Sequence, residues 1–127
     1  MKIKQLSVFV ENKTGRINEV TQILGSNGVN MTAFSLADSG EFGILRMIVS
    51  DVERAVSALK EARFGISVTE VVCFCCPNEP GALSIVLDCL ARENVFIEYM
   101  YAFPVRDKDR VVIRLFDLDP RIEILAP

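Results

Sequence analysis

Two asparagines and a glycine are the residues of this sequence best suited to bind a small charged molecule. Asn12 follows an apolar run, Gly15 stands where a helical pattern begins, and Asn30 precedes a second apolar run. An amide side chain offers two donors and one acceptor, so a pair can hold an ammonium group and a carboxylate without adding charge. The first N–H groups of a helix attract a carboxylate, and glycine lets its oxygen approach. These residue types predict a site for a zwitterion.

Four cysteines offer a different chemistry. Cys73, Cys75 and Cys76 lie within four residues, and Cys89 stands apart. Their C-x-C-C spacing differs from the C-x-x-C of redox motifs and zinc sites. A thiolate metal or redox site is one interpretation. We favour a strand covered on both faces, in which cysteine acts as a small buried hydrophobe, and we expect no metal site and no cofactor.

The composition narrows the possible functions. The chain has 127 residues, 50% of them hydrophobic, a net charge of -3 and no histidine. Mechanisms that need an imidazole are therefore absent, and no phosphate-binding loop or dinucleotide fingerprint occurs, so we expect no enzyme. The negative charge disfavours nucleic acid as a partner. No apolar stretch reaches the roughly 20 residues of a membrane span, and the start is unlike a signal peptide, so we expect a cytoplasmic protein with no membrane partner.

The sequence contains an internal repeat. An offset of 66 residues superimposes similar residues, namely Asn12 on Asn78, Gly15 on Gly81, Val20 on Val86, Leu24 on Leu90 and Val29 on Val95. Further along, an offset of 68 matches better and places Arg46 on Arg114. We assign the two extra residues to a longer loop at 104–109.

Each repeat unit alternates strands and helices. The first is predicted to contain strand 3–10, a helix that ends before Gly28, strands 29–36 and 42–49, a helix capped by Ser50 or Asp51, and strand 66–70. The second is predicted to contain strand 71–76, helix 82–93, strands 95–103 and 110–116, and the start of a helix at Asp119-Pro120.

The predicted fold class is α+β, with two ferredoxin-like βαββαβ units that have antiparallel sheets. We expect two domains, 1–70 and 71–127, and we expect the second to be truncated at its C-terminus, without the end of its second helix and its fourth strand. The open sheet edge needs a cover, either a partner chain or the segment 66–76 serving both sheets. Because one crossover helix joins the first two strands, we expect Asn12 and Asn30 to face the same end of the sheet.

The loops resemble those of the ACT domain family. Glu11-Asn12-Lys13-Thr14-Gly15 and Gly28-Val29-Asn30-Met31 carry the resemblance in the first unit, and Pro77-Asn78-Glu79-Pro80-Gly81-Ala82-Leu83 matches the family's N-x-P-G-x-L turn. The resemblance covers nearly the whole chain as a tandem pair. It implies small regulatory modules that bind amino acids at interfaces between ACT units.

The resemblance also implies which residues contact the ligand. By position these are Asn12, Gly15, Asn30 and Met31, with Val10, Glu11 and Lys13 nearby. Asn78, Gly81 and Phe96 are weaker candidates, because a phenyl ring replaces the second asparagine.

Three functions compete at this stage. The first is a non-catalytic regulatory protein that binds a free amino acid, works as a homodimer or larger homo-oligomer, and couples metabolite level to its assembly or to a separate regulated enzyme. The second is a structural or interaction module, or a regulatory subunit, with a vestigial pocket. The third is a thiol-dependent enzyme or metal-binding protein, which only the cysteine cluster favours.

Overall fold

The computed structural model describes residues 1–38, 40–105 and 108–115. Its elements are β1 (Lys2–Glu11), α1 (Arg16–Ser26), β2 (Met31–Asp38), β3 (Phe42–Val49), α2 (Val52–Glu61), β4 (Gly65–Pro77), α3 (Ala82–Arg92), β5 (Ile97–Val105) and β6 (Lys108–Leu115). They alternate as predicted, except that the predicted strands 66–70 and 71–76 form the single strand β4. The predicted α+β class is confirmed. The helix predicted to start at Asp119-Pro120 lies outside the described residues.

The chain divides into two compact units. The first unit is Lys4–Thr69, and the second combines Met1–Ile3 with the described chain from Glu70 onwards. None of the helices in the described ranges is long and apolar enough to cross a membrane.

The first unit is a four-stranded sheet with two helices on one face. Its strands lie in the order β2-β3-β1-β4, and β3 is antiparallel to both β1 and β2. Alternate residues of β1 and β3 meet the buried faces of α1 and α2, as the period of two in a strand requires. The core consists of Leu6, Val8, Val10, Val20, Leu24, Val29, Leu45, Met47, Val49, Ala55, Leu59 and Phe64.

Of the two residues predicted as possible caps of α2, Ser50 and Asp51, the structure has Asp51 in this role. Its side chain accepts a hydrogen bond from the Arg54 backbone N–H at 3.1 Å. The Ser50 hydroxyl instead accepts a bond from the Asn30 backbone N–H at 2.9 Å, so it fixes the start of β2 against the end of β3.

The second unit has its own hydrophobic core. Its strands lie in the order β4-β6-β5, and α3 packs against Val72, Phe74, Cys76 and Val111 through Leu90. Met1 pairs with β4, because the Met1 amino group donates to the Cys73 carbonyl at 3.1 Å and the Cys73 N–H donates to the Met1 carbonyl at 2.8 Å. The start of the chain therefore pairs with part of this edge of β4. The segment 66–76 forms β4, which is present in the strand order of both units, as one of the two expected alternatives required.

The strand register corrects the predicted repeat. Val8 pairs with Leu45 in the first unit, and Phe74 pairs with Val111 in the second, so the offset stays at 66. The predicted shift to 68 and the longer loop at 104–109 are wrong. The position equivalent to Arg46 is Val112, and not Arg114. A slip of two residues keeps every side chain on the same face, so the apolar pattern cannot reveal it.

Candidate functional site

Four of the predicted ligand contacts lie at the end of β1 and in the loop that leads to α1, namely Val10, Glu11, Asn12 and Gly15. Gly15 caps α1 with φ +88, a left-handed conformation that favours glycine, and no side chain caps this helix end. A Cβ added at Gly15 would meet no atom within 4 Å. The space beside Gly15 is therefore open, whereas the Arg16 backbone N–H already donates to the Lys13 carbonyl at 3.3 Å.

Glu11 and Lys13 carry opposite charges on the two sides of Asn12. The Lys13 Nζ lies 3.0 Å from a Glu11 carboxylate oxygen, and both side chains are exposed. The hydrogen bond from Lys13 and its charge lower the pKa of the Glu11 carboxyl, so Glu11 stays ionised at neutral pH. One anionic and one cationic group therefore stand together at the loop, as a zwitterion would require.

Asn12 connects this loop to the β2–β3 turn. Its backbone N–H donates to the Glu41 carbonyl at 2.9 Å, and its Nδ2 lies 3.5 Å from the Gly40 carbonyl oxygen. The side chain is exposed to solvent. Asn12 is therefore anchored at the turn and still able to contact a ligand.

A groove of about 250 Å³, here called the β1–α1 groove, lies beside this loop. It is lined by Val10, Glu11, Asn12, Lys13, Ile17, Leu36, Ala37, Asp38 and Gly43. Three of the predicted contacts, Val10, Glu11 and Asn12, line it, and so does the nearby Lys13. The sequence alone does not predict the residues from the end of β2 and the start of β3, because only the strand register brings them beside β1. A shallower depression adjoins it between Asn12 and Phe42.

Asn30 and Met31 lie at the opposite end of the first sheet. Met31 pairs with Val49 at the end of β3, whereas Glu11 pairs with Phe42 at its start. Seven residue steps of β3 separate these positions, a distance of about 24 Å at roughly 3.4 Å per residue. The prediction that Asn12 and Asn30 face the same end of one sheet is wrong. The end of β1 and the start of β2 are at opposite ends, because these strands run in the same direction on either side of β3.

The second unit repeats the backbone of the loop but changes its chemistry. Gly81 caps α3 with φ +85, again without a side-chain cap, and Asn78 is exposed. Pro77 and Glu79 stand where the first unit has the Glu11 and Lys13 pair. Phe96, the equivalent of Asn30, is 66% exposed and presents an apolar ring. The paired charges of the groove are therefore specific to the first unit.

The cysteines divide into two environments. Cys73 and Cys76 are buried, Cys75 is half-buried and Cys89 is exposed on α3, and all four are free. Cys76 belongs to the core of the second unit, which matches the interpretation of the cluster as small hydrophobes. Within residues 1–38, 40–105 and 108–115, no three potential metal-ligating side chains come together.

Comparison with known proteins identifies the family. A model of the ACT domain pair matches residues 1–125. Protein BT0572 from Bacteroides thetaiotaomicron is 50% identical over 98% of this chain and 87% of its own, with a TM-score of 0.92. No curated protein matches.

Two more distant structures share the fold. The regulatory subunit of aspartate kinase from Thermus thermophilus, in its ligand-free form, is 15% identical over 87% of this chain and 81% of its own, with a TM-score of 0.66. The corresponding subunit from Thermus flavus is 13% identical over 89% and 85%, with a TM-score of 0.64. The family match over nearly the entire length, together with the paired βαβ units, shows that this chain belongs to the ACT domain pair family.

Proposed function

We propose that this protein is a non-catalytic regulatory protein that binds a free amino acid between the first units of two copies. The observation that carries the proposal is the β1–α1 groove, where the Glu11–Lys13 ion pair, the Asn12 amide and Ile17 of the first turn of α1 line a space of about 250 Å³. That volume is below the roughly 300–1,000 Å³ of pockets for drug-sized ligands, and it suits a single small metabolite.

The polar groups of the loop match the two charges of an amino acid. Glu11 can accept hydrogen bonds from the ligand ammonium, while Lys13 and the first N–H groups of α1 attract its carboxylate. The ligand then replaces the Glu11 and Lys13 contact with two charge-assisted contacts of its own. Asn12 can serve either group, because an amide both donates and accepts.

A second copy of the chain supplies Asn30 in this proposal. A site that includes Asn12 and Asn30 cannot form within one unit, because about 24 Å separates them along β3. Strand β2 is at the edge of the first sheet, with Phe34 63% exposed. Two β2 strands that pair antiparallel across a two-fold axis bring the start of each strand beside the end of the other. Asn30 of the second copy then closes the groove beside Asn12.

Regulation follows from this shared site. A ligand that contacts two copies binds the dimer better than the monomer, so it shifts the population towards the dimer. We infer that the protein acts in the cytoplasm on a separate partner enzyme through this change of assembly.

One observation favours a second candidate, an interaction module with a vestigial pocket. Glu11 and Lys13 bind each other, and the Asn12 amide contacts the Gly40 carbonyl, so these polar groups have partners within the chain.

Thermal unfolding of the full chain with each of the twenty amino acids separates the two candidates. A ligand at 100 times its Kd stabilises the protein by about 2.7 kcal/mol, which is a clear rise in Tm. We expect at least one amino acid to raise Tm and to increase the dimer fraction in light scattering. No rise with any of the twenty would support the vestigial pocket and reject the proposed function.

A further inference from the structure

The inner wall of the β1–α1 groove is apolar. Val10 is 1% exposed and forms the base, Ile17 of α1 is half-buried, and Leu36 of β2 is 57% exposed. Leu36 thus retains apolar surface within a concave part of the molecule, where an apolar group of a ligand can cover it. Removing such surface from water stabilises a complex by about 25 cal/mol per Å².

Gly43 determines the depth of the groove. A Cβ at this position would lie 3.3 Å from the Leu36 Cδ1 and 3.6 Å from the Ala37 carbonyl oxygen. Any larger residue therefore displaces Leu36 or fills the space beside it. The second unit has Asp109 in place of Gly43 and Ala102 in place of Leu36, according to the register of its strands. At these two positions the second unit therefore has an acidic residue and a smaller apolar residue.

Charged groups occupy the mouth of the groove. Glu11 and Lys13 form their ion pair there, beside Asn12, and the exposed Asp38 is at the end of β2. An amino acid with its head group at this mouth directs its side chain towards Ile17 and Leu36. An acidic side chain would approach the carboxylates of Glu11 and Asp38, and a polar one would leave hydrogen bonds unmade against the apolar wall.

We propose that the β1–α1 groove selects an amino acid with an aliphatic side chain, of the size of valine or leucine. The side chain lies over Gly43 and against Ile17 and Leu36, while Glu11, Asn12 and Lys13 hold the head group. This inference rests on the proposed function and goes beyond it by naming the class of ligand.

Calorimetric titration of the full chain with single amino acids tests the selectivity. L-leucine and L-valine are compared with glycine, L-serine, L-aspartate and L-lysine. We expect L-leucine to bind at least about tenfold more tightly than glycine or L-serine, since each apolar group in such a pocket contributes about that factor. Tightest binding of L-serine, L-aspartate or L-lysine would overturn this inference and leave the proposed function intact. Binding of none of them, nor of any other amino acid, would overturn both.

Two substitutions test whether the selectivity comes from this wall. Leu36→Ala removes apolar contact, and Gly43→Ala pushes a methyl group towards Leu36. Both are expected to reduce the ratio of L-leucine to glycine affinity by about threefold or more. Val68→Ala is the matched control, because Val68 is 43% exposed on β4 and outside the groove. An unchanged ratio in both groove variants would overturn the assignment of the wall.

Discussion

Glu11 and Lys13 supply the charged groups of the proposed ligand site. They sit on either side of Asn12, and their contact lowers the pKa of the Glu11 carboxyl. Because the folded-state pKa is lowered, the contribution of this contact to stability is present above the ordinary pKa of the carboxyl. It is lost as the pH falls through the lowered value, and it is small because both groups are exposed.

Removing the charge of Lys13 tests whether this residue lowers the pKa of Glu11. We predict that Lys13→Gln raises the pKa of Glu11 towards its ordinary value, since the substitution removes both the charge and the charged hydrogen-bond donor. An NMR titration of the Glu11 carboxyl carbon measures the change. Lys60→Gln on α2 is the control and should leave the titration of Glu11 unaltered. An equal titration in the Lys13→Gln and native chains would contradict the ion pair.

Alanine substitutions at two glycines of the first unit test whether the backbone at the start of α1 requires glycine. Gly15 has φ +88, whereas Gly25 lies inside α1, and an added Cβ meets nothing within 4 Å at either position. We predict that Gly15→Ala lowers the free energy of unfolding by about 1–2 kcal/mol, because alanine is strained in the left-handed region. Gly25→Ala should raise it by about 0.5–1 kcal/mol, because alanine favours the helix. Urea unfolding measures both, and a loss of the same size in both variants would reject the strain argument.

At the scale of the elements, local pattern predicted most of the fold. The two helices predicted for the first unit are present as α1 and α2, and each buries apolar residues, namely Val20 and Leu24 in α1 and Ala55 and Leu59 in α2. Strand β3 also has its predicted bounds. These predictions succeed because a helix and a strand place their apolar residues at different periods, which a single sequence displays.

Relations between strands were harder to predict. The equivalence of Arg46 and Arg114 failed because a two-residue slip preserves the alternation of faces. The expected meeting of Asn12 and Asn30 failed because it depends on strand order and direction, and β3 lies between β1 and β2. Leu36 and Gly43 were not recognised as groove residues for the same reason, since no local pattern places them beside Val10.

The edge strand β2 should be the contact between two copies. Phe34 is 63% exposed on this strand. We predict that Phe34→Glu weakens dimerisation at least about tenfold, because it removes apolar contact and brings two like charges together across the two-fold axis. Sedimentation of the full chain over a range of concentrations measures the effect. Val68→Glu, at an exposed position of β4, is the control, and equal dimerisation of the Phe34→Glu and native chains would exclude β2 as the contact.

Across the whole molecule, the two units share a similar backbone at their first loops but differ in the side chains that these loops expose. The first has paired charges and a groove at its loop, whereas the second has Pro77 and Glu79 there and an exposed Phe96 at the position of Asn30. We therefore expect one ligand site for each first unit, and two for a dimer. Equilibrium titration should give a stoichiometry of one amino acid per chain.

In the proposed site, one ligand contacts Asn12 of one copy and Asn30 of the other. Asn12→Ala and Asn30→Ala should each weaken amino-acid binding about tenfold or more, because a hydrogen bond to a charged group is lost. Neither homodimer retains a native site. A mixed dimer retains one, formed by Asn12 of the Asn30→Ala chain and Asn30 of the Asn12→Ala chain.

Calorimetric titration of the two variants, mixed in equal amounts and allowed to exchange subunits, tests whether two copies share the ligand site. We predict that sites of native affinity reappear, one for each mixed dimer, which is about a quarter of the native number when exchange is random. The unmixed variants serve as controls and should show no such sites. Mass spectrometry shows whether mixed dimers have formed. If they have formed and the mixture still binds no more tightly than the unmixed variants, two copies do not share the site.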